Sequence, residues 1–171
     1  MKTIYILRHA EAPSHPDLDD FDRPLSEKGI RDAAHLGHVM GKEHYIPEYV
    51  LCSPAKRTQM TLEALDLKTV NIDTPDNLYT GTAGDYFAAI QNIGEAHEKA
   101  LLVGHNPSVH ELVRLLAQYR DDVRLMSYSP CTFTVLNINI QKWSDLKPSS
   151  ASITNMITAQ YHRSSGSTLG A

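Results

Sequence analysis

The chain has 171 residues, enough for one domain of ordinary size whose core is covered on both sides. A hydrophobic share of 42% with 21% charged residues is that of a globular protein, and a net charge of −4 argues against a nucleic-acid or membrane-surface footprint. Two cysteines, Cys52 and Cys131, make neither a disulfide framework nor a zinc ligand set, so both are read as reduced thiols of a cytoplasmic protein.

In chain order, Lys2–Leu7 reads as a buried strand, and Arg8 and His9 follow it at once. Its apolar run is too short for a signal peptide, and no run approaches the length of a transmembrane helix. A loop rich in Asp and Pro spans 13–24, polar enough to border a site. Ser26 and Glu27 open a helix to about Gly41, with Ala33, Ala34, Leu36, Gly37 and Met40 as its apolar stripe. Val50–Cys52 is a short strand, and Pro54 suits the first turn of a helix running to about Leu65. Val70–Asp73 is a minor strand. Asp85–Lys99 has helical periodicity, with Phe87, Ala88, Ile90 and Ile93 inward. Leu101–Gly104 is a strand that ends in His105, and Pro107 starts a helix to about Gln118. Cys131–Ile140 and Ser152–Tyr161 are late strands, a hairpin-like pair around Trp143. Residues 1–162 are expected to form a single domain, with a disordered tail over 163–171. This alternation predicts an α/β fold: a three-layer sandwich, with a mostly parallel central sheet and helices on both faces.

Strands in such folds deliver functional groups at their C-terminal ends. Here three strand ends carry Arg8 with His9, Ser53-Pro54-Ala55-Lys56-Arg57-Thr58, and His105. Two imidazoles and two guanidinium groups suit a tetrahedral dianion. Phosphoryl transfer needs an in-line nucleophile and cations on the equatorial oxygens. A neutral imidazole held in one tautomer can be that nucleophile, and His9 and His105 both qualify on sequence. Arg8 and Arg57 can each give a phosphate two parallel hydrogen bonds, which Lys cannot. This logic calls for no metal and no cofactor.

Leu7-Arg8-His9-Ala10-Glu11-Ala12 resembles the signature of the histidine phosphatase superfamily, which also contains phosphoglycerate mutases and acid phosphatases. The resemblance continues through Asp22-Arg23-Pro24-Leu25-Ser26-Glu27-Lys28-Gly29, Ser53–Thr58 and Val103-Gly104-His105-Asn106-Pro107. Ala10 in place of the usual Gly, the Arg-Pro-Leu stretch and the His-Asn-Pro triplet are most similar to the SixA-type branch of phosphohistidine phosphatases. The resemblance implies a phosphoglycerate-mutase-like fold, with His9 as the nucleophile that becomes phosphorylated. It also implies a phosphate pocket of Arg8, Arg57 and His105, with Arg23 at the rim.

The departures from the family bear on substrate. Mutase-like members carry a catalytic Glu where this chain has Thr80, and acid-phosphatase members carry an Asp where it has Asn106. An alkoxide leaving group needs a proton donor, whereas the imidazole of phosphohistidine departs readily once protonated. Glu11 and Asp85 are the candidate substitute acids, read otherwise as a solvated loop carboxylate and a helix N-terminal charge. The stretch from Arg57 to His105 leaves little room for a cap domain, which predicts an open, shallow pocket. The expected function is therefore removal of phosphate from a phosphohistidine on a partner protein, through a covalent phospho-His9 intermediate, by a monomer or weak dimer. The alternatives are a small-molecule phosphomonoesterase of the same superfamily and a non-catalytic phosphoprotein-binding module. A Cys-dependent phosphatase is disfavoured: between Cys52 and Arg57 lie four residues rather than the required five, and one is a proline with no N–H. His35 with His38, and His15 with the acidic loop of Asp17, Asp19, Asp20 and Asp22, are read as surface groups rather than metal ligands.

Overall fold

Pairing between strands far apart in the chain sets the architecture. A computed structural model describes residues 1–68, 71–119 and 122–159. Its six strands are β1 (Lys2–Arg8), β2 (Tyr49–Cys52), β3 (Asn71–Asp73), β4 (Lys99–Gly104), β5 (Phe133–Ile138) and β6 (Ala151–Ile157). They form one sheet in the order β3-β2-β4-β1-β5-β6. The β3–β2, β2–β4 and β4–β1 pairs are parallel, and β5 runs against both β1 and β6. The mostly parallel sheet is as the alternation predicts.

Side chains alternate across β1 and so serve two cores. Tyr5 and Leu7 pack with Ala33, Leu36 and Met40 of α1 (Glu27–Lys42) and Leu62 of α2 (Lys56–Ala64). Ile4 and Ile6 face the other way, towards α4 (Ala83–Gln91) and α5 (Ser108–Leu116), which α3 (Asn77–Thr80) precedes. All four residues from Ile4 to Leu7 are buried, each aliphatic side chain contributing about 1.5–3 kcal/mol of transfer free energy. Helices on both faces complete the three layers.

Several boundaries differ from the sequence reading, each for a local reason. Periodicity carries a helix to Lys99, but α4 ends at Gln91, and Lys99 already belongs to β4. In α4 it is Tyr86 and Ile90 that are buried, while Ala88 faces solvent. Ala34 of α1 is likewise exposed, because the stripe runs through Gly29, Ala33, Leu36 and Met40. Pro54 lies just before the Ala55 cap of α2 instead of in its first turn. The short α3 has no sequence signal that exceeds that of a turn. Trp143 is fully buried in a 3-10 turn between β5 and β6, its indole N–H donating to His97 O at 2.8 Å. Val70, Tyr161 and the expected tail from residue 163 lie outside the described residues. Among the described residues no helix is long and apolar enough to cross a membrane.

Candidate active site

Register brings the three strand ends together. Adjacent β2, β4 and β1 pair Cys52 with Val103 and Arg8 with Gly104, so all three finish at one level. Backbone bonds prolong the alignment past the strands: His9 N–H donates to Gly104 O and Ser53 N–H to Val103 O, each at 3.0 Å. Gly104 is required here by space. A Cβ on it would lie 2.6 Å from the Tyr86 hydroxyl and 2.9 Å from a Val109 methyl. That hydroxyl donates to Leu78 O at 2.6 Å and accepts weakly from the His105 N–H at 3.4 Å, bracing the turn.

The two imidazoles lie with ring centroids 5.2 Å apart, and each residue is only 8% exposed. His9 Nδ1 is 2.7 Å from Ala10 O. A carbonyl oxygen only accepts, so Nδ1 carries the proton and Nε2 keeps its lone pair. Burial pushes the His9 pKa down to about 4; the bond to Ala10 opposes this, and the charges of Arg57, Arg8 and Arg23 add to it. His9 is thus neutral near pH 7, as a nitrogen nucleophile must be. His105 pairs through Nε2 with the buried Ser53 hydroxyl at 2.7 Å, and its buried Nδ1 has no partner in the protein. Burial, with His9 and Arg57 alongside, lowers its pKa to about 3.

The arginines ring this pair. Arg8 donates from Nη1 to Tyr128 O at 2.7 Å, and the Asn106 amide N–H donates to the same carbonyl at 2.9 Å. Burial lowers the Arg8 pKa, and the Nε groups of Arg8 and Arg57 are buried without protein partners. Arg57 is 5% exposed, and both of its terminal nitrogens donate to Asp20, one to the backbone carbonyl and one to Oδ2 at 3.0 Å. Arg23 bonds Asp20 Oδ1 through Nε at 2.9 Å and Nη2 at 2.8 Å, while its Nη1 donates to Ala12 O and Pro13 O. Tyr79 closes the ring: its hydroxyl donates to Asp20 Oδ2 at 2.8 Å, and its ring meets His105 edge-on at 6.0 Å between centroids.

The structure thus gathers His9, Arg8, Arg57, His105 and Arg23, all named from sequence. Sequence reasoning gave no role to Ser53, Tyr79, Asn106, Tyr128 or Asp20. Ser53 stood inside a quoted motif, whereas Asp20 looked like one of several solvated loop acids. The open pocket expected from chain economy is instead partly covered, because the loop of 13–24 leans on Arg57 through Asp20. The substitute acids are occupied elsewhere. Asp85 caps α4 reciprocally with Thr82, whose bonds lower its pKa. Glu11 accepts from Ser26 Oγ at 2.9 Å and pairs with Lys28 at 3.2 Å. Cys52 is buried, which raises its thiol to about 12 and makes it inert as a thiolate nucleophile. Among the described residues no three His, Cys, Asp or Glu side chains converge as a metal ligand set.

Residues 4–87 match the sequence profile of the histidine phosphatase superfamily, branch 1. Over that stretch the chain is similar to the histidine phosphatase superfamily. Its β1 end, acidic loop and α2 arginine all lie in that matched stretch, and the fold extends the likeness further. A structure from Nakamurella multipartitia, provisionally named phosphohistidine phosphatase SixA, superposes with TM-score 0.83 at 27% identity, over 92% of this chain and 95% of that one. The protein histidine phosphatase SixA complexed with tungstate shares the fold at TM-score 0.78 and 20% identity, covering 94% and 99%. An uncharacterized Mycobacterium tuberculosis protein is 28% identical over 156 residues, 86% of this chain and 96% of its own. The profile match and these neighbours support a phosphatase.

Proposed function

We propose that the protein is a phosphohistidine phosphatase acting on a phosphohistidine displayed by a partner protein, with His9 as the nucleophile. The observation that carries this reading is the tautomer lock on His9, a buried neutral imidazole with its Nε2 lone pair free of the Ala10 bond. His9 Nε2 attacks phosphorus while the P–N bond to the substrate imidazole breaks, and the bonding pair returns to that nitrogen. The other nitrogen of the substrate ring takes up a proton from water before transfer, so the ring departs as neutral imidazole and needs no donor from the protein. Water then attacks phospho-His9; both of its protons leave with the phosphate, and Nε2 recovers its lone pair. Arg8 and Arg57 hold the equatorial oxygens, His105 contributes from the neighbouring strand end, and Arg23 serves the rim.

The leaving group is where the carboxylates matter. Glu11 and Asp85 are committed, Asn106 and Thr80 stand where relatives carry an acid, and Asp20 is held ionised. Partial burial pushes the Asp20 carboxyl up, but hydrogen bonds from Tyr79 and Arg23 and the charge of Arg57 outweigh it and hold the pKa at about 2. With Asp20 and Asp85 held ionised and Glu11 paired with Lys28, the site favours a substrate whose own ring nitrogen takes up the proton.

Brief reaction with labelled phosphohistidine and an alkaline quench should trap an acid-labile phosphoenzyme, and His9→Ala should lose both label and turnover. Phosphohistidine or phosphoramidate should be hydrolysed faster than a sugar phosphate by orders of magnitude. A fully active His9→Ala protein, or efficient sugar-phosphate turnover, would overturn the proposal.

A further inference from the structure

The ring of donors around Asp20 has a consequence for anion binding that rests on the phosphatase reading above. Residues 13–22 are all exposed, and Asp20 fastens this segment to the site through Arg57, Arg23 and Tyr79. Phe21 adds an edge-on contact with Tyr79, 5.0 Å between ring centroids. Both terminal nitrogens of Arg57, the fork best suited to phosphate, are therefore taken by one residue of its own chain.

We propose that Asp20 is a built-in competitor for the phosphate pocket, occupying the Arg57 fork until a phosphoryl dianion displaces it. A carboxylate offers one charge and two oxygens, whereas a phosphoryl dianion offers two charges and three oxygens. An incoming dianion gains more from Arg57 and the buried Nε groups than Asp20 does, and repulsion between the two anions drives the carboxylate out. A monoanion such as acetate or chloride has no such advantage. Asp20 thereby acts as a specificity-determining residue: it lowers affinity for every anion, but leaves only dianions able to open the fork. Its release also loosens the exposed segment 13–22, so that filling of the pocket and opening of its cover are one event.

The test is calorimetric titration of the full chain with inorganic phosphate and with acetate, comparing the unmodified protein with Asp20→Asn, Asp20→Ala and, as a charge control two residues away, Asp22→Asn. Removing the competitor should tighten phosphate binding about tenfold, make acetate binding measurable, and leave the Asp22→Asn protein unchanged. A merely structural role for Asp20 would weaken binding. Phosphate added to the unmodified protein should also shift the amide resonances of Asp20 and Phe21 and speed their hydrogen exchange. Phosphate binding that is equal or weaker in both Asp20 variants, or resonances that do not respond, would overturn the competitor role alone. Failure of all four proteins to bind phosphate would overturn the anion pocket itself, and the phosphatase reading with it.

Discussion

The floor of the site is built at strand ends, where Arg8, His9, Ser53 and His105 are fixed by sheet register and backbone bonds, whereas its cover is an exposed segment fastened chiefly through Asp20. Floor residues cannot shift without breaking ladder bonds shared by three strands. The cover can leave by exchanging side-chain partners with an anion or water. Rigid elements therefore carry the groups whose geometry decides chemistry, and the adaptable loop carries those that decide access.

Arg8→Lys should have the largest effect, because it keeps the charge but loses the fork in the rigid part of the site. We expect a loss of about 2–4 kcal/mol in transition-state stabilisation, roughly one and a half to three decades in kcat/KM. Arg23→Lys, in the cover, should cost roughly tenfold or less, mainly in KM. Equal losses from the two would erase the distinction between floor and cover.

The buried histidines make a second difference, visible in stability. Both have folded pKa values, about 4 and about 3, below the ordinary 6.5. Below that ordinary value the unfolded chain takes up protons that the native state refuses. Their contribution is thus fully present above about pH 6.5 and is lost as pH falls towards 4, by at most about 1.4 kcal/mol per pH unit for each histidine. Urea denaturation at pH 7 and pH 5 should show this slope, and His105→Gln should reduce it. An unchanged slope would mean that these rings are not held neutral.

Ser53→Ala should have a modest effect, because it leaves His105 Nε2 without its hydroxyl partner. About tenfold should be lost from kcat with little change in KM, as for a positioning residue whose loss loosens a ring. Ser53→Thr should restore part of the rate. A loss confined to KM would place Ser53 in substrate binding instead.

What was legible in the sequence tracks the same division. Arg8, His9 and His105 stand beside short apolar runs, so a strand-end reading found them, and sheet order then made them neighbours. Periodicity was less informative along α4, where Asn92 and Gly94 end the helix although apolar spacing continues to Ile93. Asp20 was illegible for a different reason. Its partners come from α2, from the turn at Tyr79 and from its own loop, and nothing in Asp19-Asp20-Phe21-Asp22 marks which carboxylate will meet Arg57. Side-chain pairing across the mouth of a site leaves no period and no spacing to read.

The central place of β1 has a consequence for how the molecule folds. Its residues pair with Lys99–Gly104 on one side and with Phe133–Ile138 on the other, so neither edge of the strand can be satisfied by a local hairpin. During synthesis Ile4–Leu7 is made well before either partner, and loop closure must be achieved before the apolar run is sheltered. High contact order at the strand that presents Arg8 and His9 ties the pocket to the last long-range pairings of the sheet. A nascent or partly folded chain then lacks an assembled anion site, and recovery of phosphate binding in a refolding experiment would report completion of the whole sheet.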